Sequence, residues 1–198
     1  MMPRTEEQFE EIREERKQLI MDAALELFAC EGYYPTSISS IAEKAGVSKG
    51  LMYNYFESKE ALIKEIIFSG MEEMLGIFDP NKDGILTEDE FVFFINEAFR
   101  MLTENLKFWK LYFAVIVQPP VLKLIDKRIR EISKPLEDVM IQYYKSHGVK
   151  DARTEAILFG SVVDGLAMNY IMNPDGFPVE SAKEMTKNRF GYITKKSR

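Results

Sequence analysis

Apolar residues recur at helical spacing along most of this chain. Between residues 7 and 31 the stripe is Ile12, Leu19, Ile20, Ala23, Leu27 and Phe28, and Gly32 ends it. Ile38, Ile41 and Ala42, spaced i, i+3 and i+4, predict a short helix over about 37–45. Thr36 or Ser37 can cap its start, and Gly46 follows where a helix ends in the left-handed conformation. Val47 plugs the turn. Ser48 caps a further short helix, about 49–55, which Phe56 closes. A longer helix follows over about 57–78, capped by Ser58. Phe91, Phe94, Ile95, Ala98, Phe99 and Leu102 mark the next, up to about Glu104. The run LKFWKLYFAVIV, 106–117, is apolar nearly all round, which predicts a central helix. Gln118, Pro119 and Pro120 stop it. A helix over about 121–146 comes next, with Pro135 expected to kink or restart it and Gly148 to end it. Two more follow, about 151–173 and 179–193, separated by Pro174, Asp175 and Gly176. The pattern is all-α, with about nine helices.

The two short helices around Gly46 form a helix-turn-helix, in which the second helix lies in the DNA major groove. Phe28, Gly32, Thr36, the Ile41-Ala42 pair, Ala45-Gly46-Val47-Ser48, Gly50, Tyr53, Tyr55-Phe56, Lys59 and Leu62 then carry a dense likeness. Over about 15–65 the chain resembles the amino-terminal domain of TetR-family transcriptional regulators. Roles on the motif follow from reach. Lys49, Met52 and Asn54 sit where side chains meet base edges; asparagine pairs with adenine and lysine with guanine. Thr36, Ser37, Tyr53, Tyr55 and Lys59 suit phosphate contacts, Ser48 belongs to the same DNA-binding set, and Gly50 would let the helix approach closely. Tyr55 and Phe56 are expected to pack inward and Tyr53 to stay exposed. The resemblance implies that residues matching Thr36, Tyr53 and Lys59 hold the backbone. Lys59 lies in the first turn of its helix, where a cation is unfavourable for the dipole, which points to an anion outside the protein.

Charge qualifies this picture. The chain carries a net −6 over 198 residues. Residues 1–65 hold eight Lys and Arg against thirteen Asp and Glu, a net of −5. The carboxylates concentrate in residues 6–15, and Lys44, Lys49 and Lys59 fall in or beside the motif. Modest non-specific affinity and a shallow salt dependence are therefore expected. No apolar run approaches the ~20 residues that span a bilayer, and the acidic start is not a signal peptide. The single cysteine, Cys30, excludes an internal disulfide, fits a reducing cytoplasm, and is expected to be a buried small hydrophobe.

One stretch stands apart. DPNKDGILTEDE, residues 79–90, satisfies the calcium-loop pattern D-x-[DN]-x-[DN]-G-x5-E. Asp79, Asn81 and Asp83 occupy positions 1, 3 and 5, Gly84 supplies the turn at 6, and Ile85 offers its carbonyl at 7. Thr87 stands at 9 and Glu90 at 12. Against a metal stand the absence of a second such loop and the general lack of one in the TetR family. The same residues also read as a turn followed by a Thr87-x-x-Glu90 capping box. Both readings stay open, and no cofactor is required otherwise.

The resemblance divides the chain into a DNA-binding domain, 1–58, and a helical effector-binding and dimerisation domain, 59–198. It implies a homodimer through 151–173 and 179–193, where Gly160 and Gly165 stand beside Phe159, Val163 and Leu166. A twofold dimer implies a roughly palindromic operator. It also implies a small-molecule effector, whose candidate lining is Phe94, Met101, Phe108, Trp109, Tyr112, Phe113, Met140, Tyr144 and Met168. Those residue types suit an apolar ligand with one or two polar groups. An enzyme has little support: the single histidine, His147, reads as a helix C-terminal cap, and no phosphate loop or nucleophile-base order occurs. The expected function is a cytoplasmic DNA-binding regulator, a repressor by family habit, with calcium modulation as the alternative.

Overall fold

A computed structural model describes residues 6–192, and all the regular structure in them is α-helical. Nine helices are present among the described residues: α1 (Glu6–Glu31), α2 (Ile38–Lys44), α3 (Lys49–Tyr55), α4 (Lys59–Gly76), α5 (Glu88–Glu104), α6 (Leu106–Ile116), α7 (Pro119–Ser146), α8 (Ala152–Met172) and α9 (Val179–Phe190). The expected end of the last helix at 193 and the basic tail beyond it lie outside the described residues. The chain folds as two compact units. Among the described residues, one holds the chain up to residue 70 together with 111–126, and the other holds 71–110 and the chain from 127 on.

The first unit takes in residues well beyond α3. Its fully buried side chains include Ile20 and Phe28 of α1, Ile41 of α2 and Met52 of α3, but also Leu62, Ile63, Ile66 and Ile67 of α4. Residues 111–126 join it through Val115, Val121 and Ile125, all fully buried. Two polar side chains there are bonded to distant backbone. The Tyr112 hydroxyl donates to the Ile67 carbonyl at 3.1 Å, and burial holds its pKa well above the ordinary phenol range. Gln118 Nε2 donates to the Phe28 carbonyl at 2.8 Å while its Oε1 accepts from the Tyr33 N–H at 2.9 Å. One amide thus serves both the end of α1 and the chain leaving it, where helix groups lack partners.

Local signals account for the element boundaries. Gly32 and Gly46 end α1 and α2 with φ of +92° and +67°, a region costly for side chains with a Cβ. Ser37 caps α2 in a reciprocal box with Ser40. Ser48 Oγ accepts from Leu51 N, and Ser58 Oγ from Ala61 N. In α1 the buried set is Ile20, Met21, Ala23, Ala24, Leu25 and Phe28. Leu19, expected inside, is 56% exposed. Cys30 is exposed as well, contrary to expectation.

The second unit closes around α5. Its stripe of Phe91, Phe94, Ile95, Ala98, Phe99 and Leu102 is buried as the spacing predicts, with Met101 added. Met140, Tyr143 and Tyr144 of α7, Ala156 and Phe159 of α8 and Phe190 of α9 complete that core. Phe91 stacks on Tyr143 with rings 4° from parallel. α7 runs unbroken through Pro135 instead of restarting there, and it begins at Pro119, a residue suited to the first turn. Gly148 ends it at φ +75°. His147 Nδ1 lies 2.8 Å from the Tyr143 carbonyl, the expected C-terminal cap. α6 is less enclosed than an all-round apolar run predicts: Trp109, Tyr112 and Val115 are buried, while Lys107, Lys110 and Ala114 are exposed.

α8 also differs. By length and composition alone it is the one described helix long and apolar enough to cross a membrane. Glu155 and Asp164 interrupt its apolar run, which hides this from run length. Ile157, Leu158 and Val162 are exposed on it, and Met172 and Met185 lie exposed at its end and on α9. A Cβ added at Gly160 or Gly165 would meet no atom within 4 Å.

Candidate nucleic-acid interface

α3 has two sides. At ~100° per residue, Lys49, Gly50, Tyr53 and Asn54 share one arc and Met52 falls on the other side. The burial follows that division: Lys49, Gly50 and Asn54 are exposed and Tyr53 is 50% exposed, whereas Met52 is completely buried. Met52 is therefore a core residue, not a base contact. It anchors α3 from below, and the helix offers its other side to solvent. Gly50 faces open space; a Cβ there would find only Ser48 Oγ, at 4.0 Å. Phe56 is buried and Tyr55 half-buried, as expected. Ser37 and Ser48 are exposed, and each already accepts a backbone N–H as a helix cap.

Two expected phosphate contacts have internal occupations. Thr36 is 1% exposed and its hydroxyl donates to the Gly32 carbonyl at 2.8 Å. It holds the turn that leads into α2. Lys59 Nζ donates to the carbonyls of Tyr33, Tyr34 and Thr36 at 2.9, 3.2 and 2.8 Å. It also sits 4.5 Å from the centre of the Tyr33 ring. An ammonium has three donors, and all three are used. The cation misplaced at the start of α4 thus answers carbonyls inside the protein instead of an outside anion. Beside it, burial and then the Glu60 carboxylate hold the Tyr33 phenol far above its ordinary pKa.

Residues 20–66 match the family model for bacterial regulatory proteins of the tetR family. That stretch holds α2 and α3, the two helices of the helix-turn-helix. Its likeness extends to the HTH-type transcriptional regulator YuxN of Bacillus subtilis, 47% identical over 53 residues, which are 27% of this chain and 18% of that protein. The chain spans less than half the length of the next curated relatives as well. The fatty acid metabolism regulator protein of Bacillus subtilis is 25% identical over 169 residues, 78% of this chain and 82% of that one. Among solved structures, the transcriptional regulator FadR of Bacillus subtilis in complex with stearoyl-CoA has the same fold, with TM-score 0.69 and 20% identity over 87% of this chain and 96% of that one. The matched proteins are described as regulators, not enzymes.

The stretch around the helix-turn-helix is less basic at its surface than a count of its cations suggests. Lys44 Nζ lies 3.4 Å from Glu26, and Lys17 is paired with Glu65. Lys49 makes no ion pair among the described residues. Tyr34, missed in the sequence, is 75% exposed in the turn before α2. Its only signal is a large aromatic side chain in a polar turn.

The candidate effector residues divide between the two units. Tyr112 and Phe113 belong to the first; Phe94, Met101, Phe108, Trp109, Met140, Tyr144 and Met168 belong to the second. Trp109 Nε1 donates to the Met101 carbonyl at 3.1 Å. Tyr144 is fully buried, yet its hydroxyl has no hydrogen-bond partner among the described residues.

Residues 79–90 form a folded loop. Gly84 takes φ +74° and its N–H donates to Asp79 Oδ2 at 3.0 Å. The Asp83 N–H donates to Asn81 Oδ1, and the Ile85 N–H to Asp83 Oδ1. Asn81 Nδ2 donates to Glu90 Oε1 at 2.9 Å and to Asp83 Oδ2 at 3.2 Å. Thr87 and Glu90 close the reciprocal capping box that starts α5. Among the described residues, no three His, Cys, Asp or Glu side chains are gathered into a metal-holding group.

Proposed function

We propose that this chain is a transcriptional regulator that binds a roughly palindromic operator as a homodimer and acts in the cytoplasm as a ligand-released repressor. The observation that carries the reading is the exposed arc of α3. Lys49, Tyr53 and Asn54 stand on it with Gly50 between them, while Met52 fixes the helix from the buried side. Asn54 and Lys49 would read base edges, and Tyr53, Ser37 and Ser48 would take phosphates. Fluorescence anisotropy on DNA from upstream of the protein's own gene tests it. Tyr53→Ala should weaken specific binding about tenfold or more with the melting temperature unchanged. Unaltered affinity in that variant would overturn the interface.

The dimer would form through α8 and α9. Leu158 and Val162, with Gly165 and Asn169, lie on one stripe of α8, and small residues there permit close approach of a second helix. An apolar face of this kind on a described monomer is explained by a partner copy. The effector would be an apolar molecule carrying a polar group, in the manner of the stearoyl-CoA bound by the FadR relative. Support comes from the aromatic and methionine side chains around Phe94 and Met140, and from the Tyr144 hydroxyl, a buried donor with no partner among the described residues. Ligand would favour a conformer whose recognition helices are wrongly spaced. A thermal shift with stearoyl-CoA but not with free coenzyme A, accompanied by loss of DNA binding, is the expected result.

A second input is favoured by one observation in the 79–90 loop. Asp79 Oδ1 is buried and accepts no hydrogen bond among the described residues. Modulation of DNA binding by a cation at this loop accounts for it.

A further inference from the structure

We infer that residues 79–90 bind one calcium ion through Asp79, Asn81, Asp83, Glu90, the Ile85 carbonyl and the Thr87 hydroxyl. The inference rests on the regulator reading above only for its consequence at DNA. Three observations lead to it.

The first is what a turn and a helix cap leave unexplained. The capping box uses Thr87 and one oxygen of Glu90, Oε2. It has no need of Asp79, of Asp83, or of the other Glu90 oxygen. Asp83 and Glu90 are nevertheless linked through Asn81, whose Nδ2 donates to Asp83 Oδ2 and to Glu90 Oε1. An amide N–H2 in that position holds the space between two carboxylates where a cation would neutralise both.

The second is charge. Asp79, Asp83 and Glu90 form no ion pair among the described residues, and neither does Lys82, the lysine within the loop. Three carboxylates held in one short loop repel one another. Asp79 Oδ1 adds a buried acceptor that has no donor among the described residues. An unsatisfied buried polar group is costly, and a carboxylate oxygen can be satisfied only by a donor or a cation.

The third is anchoring. Phe78 and Phe91, immediately before and after the loop, are buried in the core of the second unit, and so is Leu86 at position 8. Both ends and one interior point are pinned, so the oxygens are presented on a fixed frame. The set is all oxygen and includes a carboxylate able to bind through both atoms. That suits the six to eight ligands of calcium, not the strict octahedron of magnesium. On binding, the Asn81 amide yields its place between the carboxylates and presents its oxygen.

The loop directly follows α4, which runs unbroken from Lys59 to Gly76 out of the stretch around the helix-turn-helix. Ordering of the loop therefore acts on the helix that the DNA-binding domain is built upon.

The test is isothermal titration of the full chain, stripped of metal, with calcium and separately with magnesium. One calcium per chain is expected, with an affinity on the order of 10⁻⁵ to 10⁻³ M for a lone loop of this type, and weaker magnesium binding. Glu90→Gln keeps the capping box, since glutamine can complete it, and should weaken calcium at least tenfold with an unchanged melt in EDTA. Asp79→Asn gives a second variant at the opposite end of the loop. Absence of calcium binding up to the millimolar range, or equal binding by both variants, overturns the site. Operator affinity is then measured in calcium and in EDTA. A several-fold difference in the wild type that vanishes in Glu90→Gln supports the regulatory role. Equal affinity with calcium bound overturns that role and leaves the site standing. Failure to bind DNA in either buffer counts against the regulator reading, and the titration still decides the site.

Discussion

Lys59 offers a decisive substitution, because the structure gives it a role opposite to the one its sequence position suggests. In Lys59→Met the aliphatic stem remains and the ammonium is lost. The carbonyls of Tyr33, Tyr34 and Thr36 each lose a charge-assisted bond. Such bonds contribute about 1.5–3 kcal/mol when dry. The site is half-buried and water can reach these carbonyls, so about 1 kcal/mol each is the better figure. The contact with the Tyr33 ring adds about 0.5 kcal/mol, and removing a cation from the first turn of α4 returns a similar amount. The net loss is about 3 kcal/mol. For a chain of this size that lowers the melting temperature by roughly 6–12 °C. Circular dichroism melts of wild type and variant give the number, and anisotropy at a temperature where both are folded gives the operator affinity. An unchanged melt together with a tenfold loss of affinity would refute the reasoning. Lys59 would then spend its charge on DNA phosphate, and its three internal bonds would be worth nothing.

Other consequences are as direct. Asn54→Ala should cost about 1–3 kcal/mol of operator binding and relax specificity at a single base pair, with stability unchanged; selection of operator variants by the mutant measures it. Because α3 carries one cation on its exposed face, Lys49, and that cation is assigned to a base edge, a dimer displaces the counterions of two phosphates at most. The slope of log affinity against log salt should be about −2, and a slope near −8 from anisotropy would place the binding charge elsewhere. Leu158→Glu should leave a folded monomer by sedimentation equilibrium with operator affinity reduced at least a hundredfold; a stable dimer would move the interface off α8.

The helix-turn-helix is legible because its signals are local. Ser37, Gly46 and Ser48 act on the backbone within a few residues of themselves, and each sits where its chemistry requires. The stripe of α5 is legible for the same reason, since an amphipathic period needs no knowledge of the partner. What stays hidden depends on residues far away in sequence. Lys59 looks like a misplaced cation because the carbonyls it serves lie 23 to 26 residues earlier. Leu19 has the spacing of a core residue and lies outside, and Met52 stands among the outward residues of the motif although its side of α3 rests on the core. Spacing shows that a helix has two sides but not which neighbour covers each. In the 79–90 loop the sequence alone favours the turn and cap over the metal site; what argues for the metal is the Asp79 oxygen, unpartnered among the described residues.

The Gln118 amide has a consequence for how this protein is made. It bridges the end of α1 and the chain at Tyr33 from 85 to 90 residues downstream. With Tyr112, Val115, Val121 and Ile125 it supplies part of the wall against which the first helices fold. A ribosome that has delivered the helix-turn-helix has therefore not yet delivered everything that holds it. The nascent segment must wait for a long further stretch of chain before it can close, with its apolar faces in need of shelter meanwhile. For the same reason residues 1–58, transplanted as a cassette onto another protein, would carry the reading surface without its support.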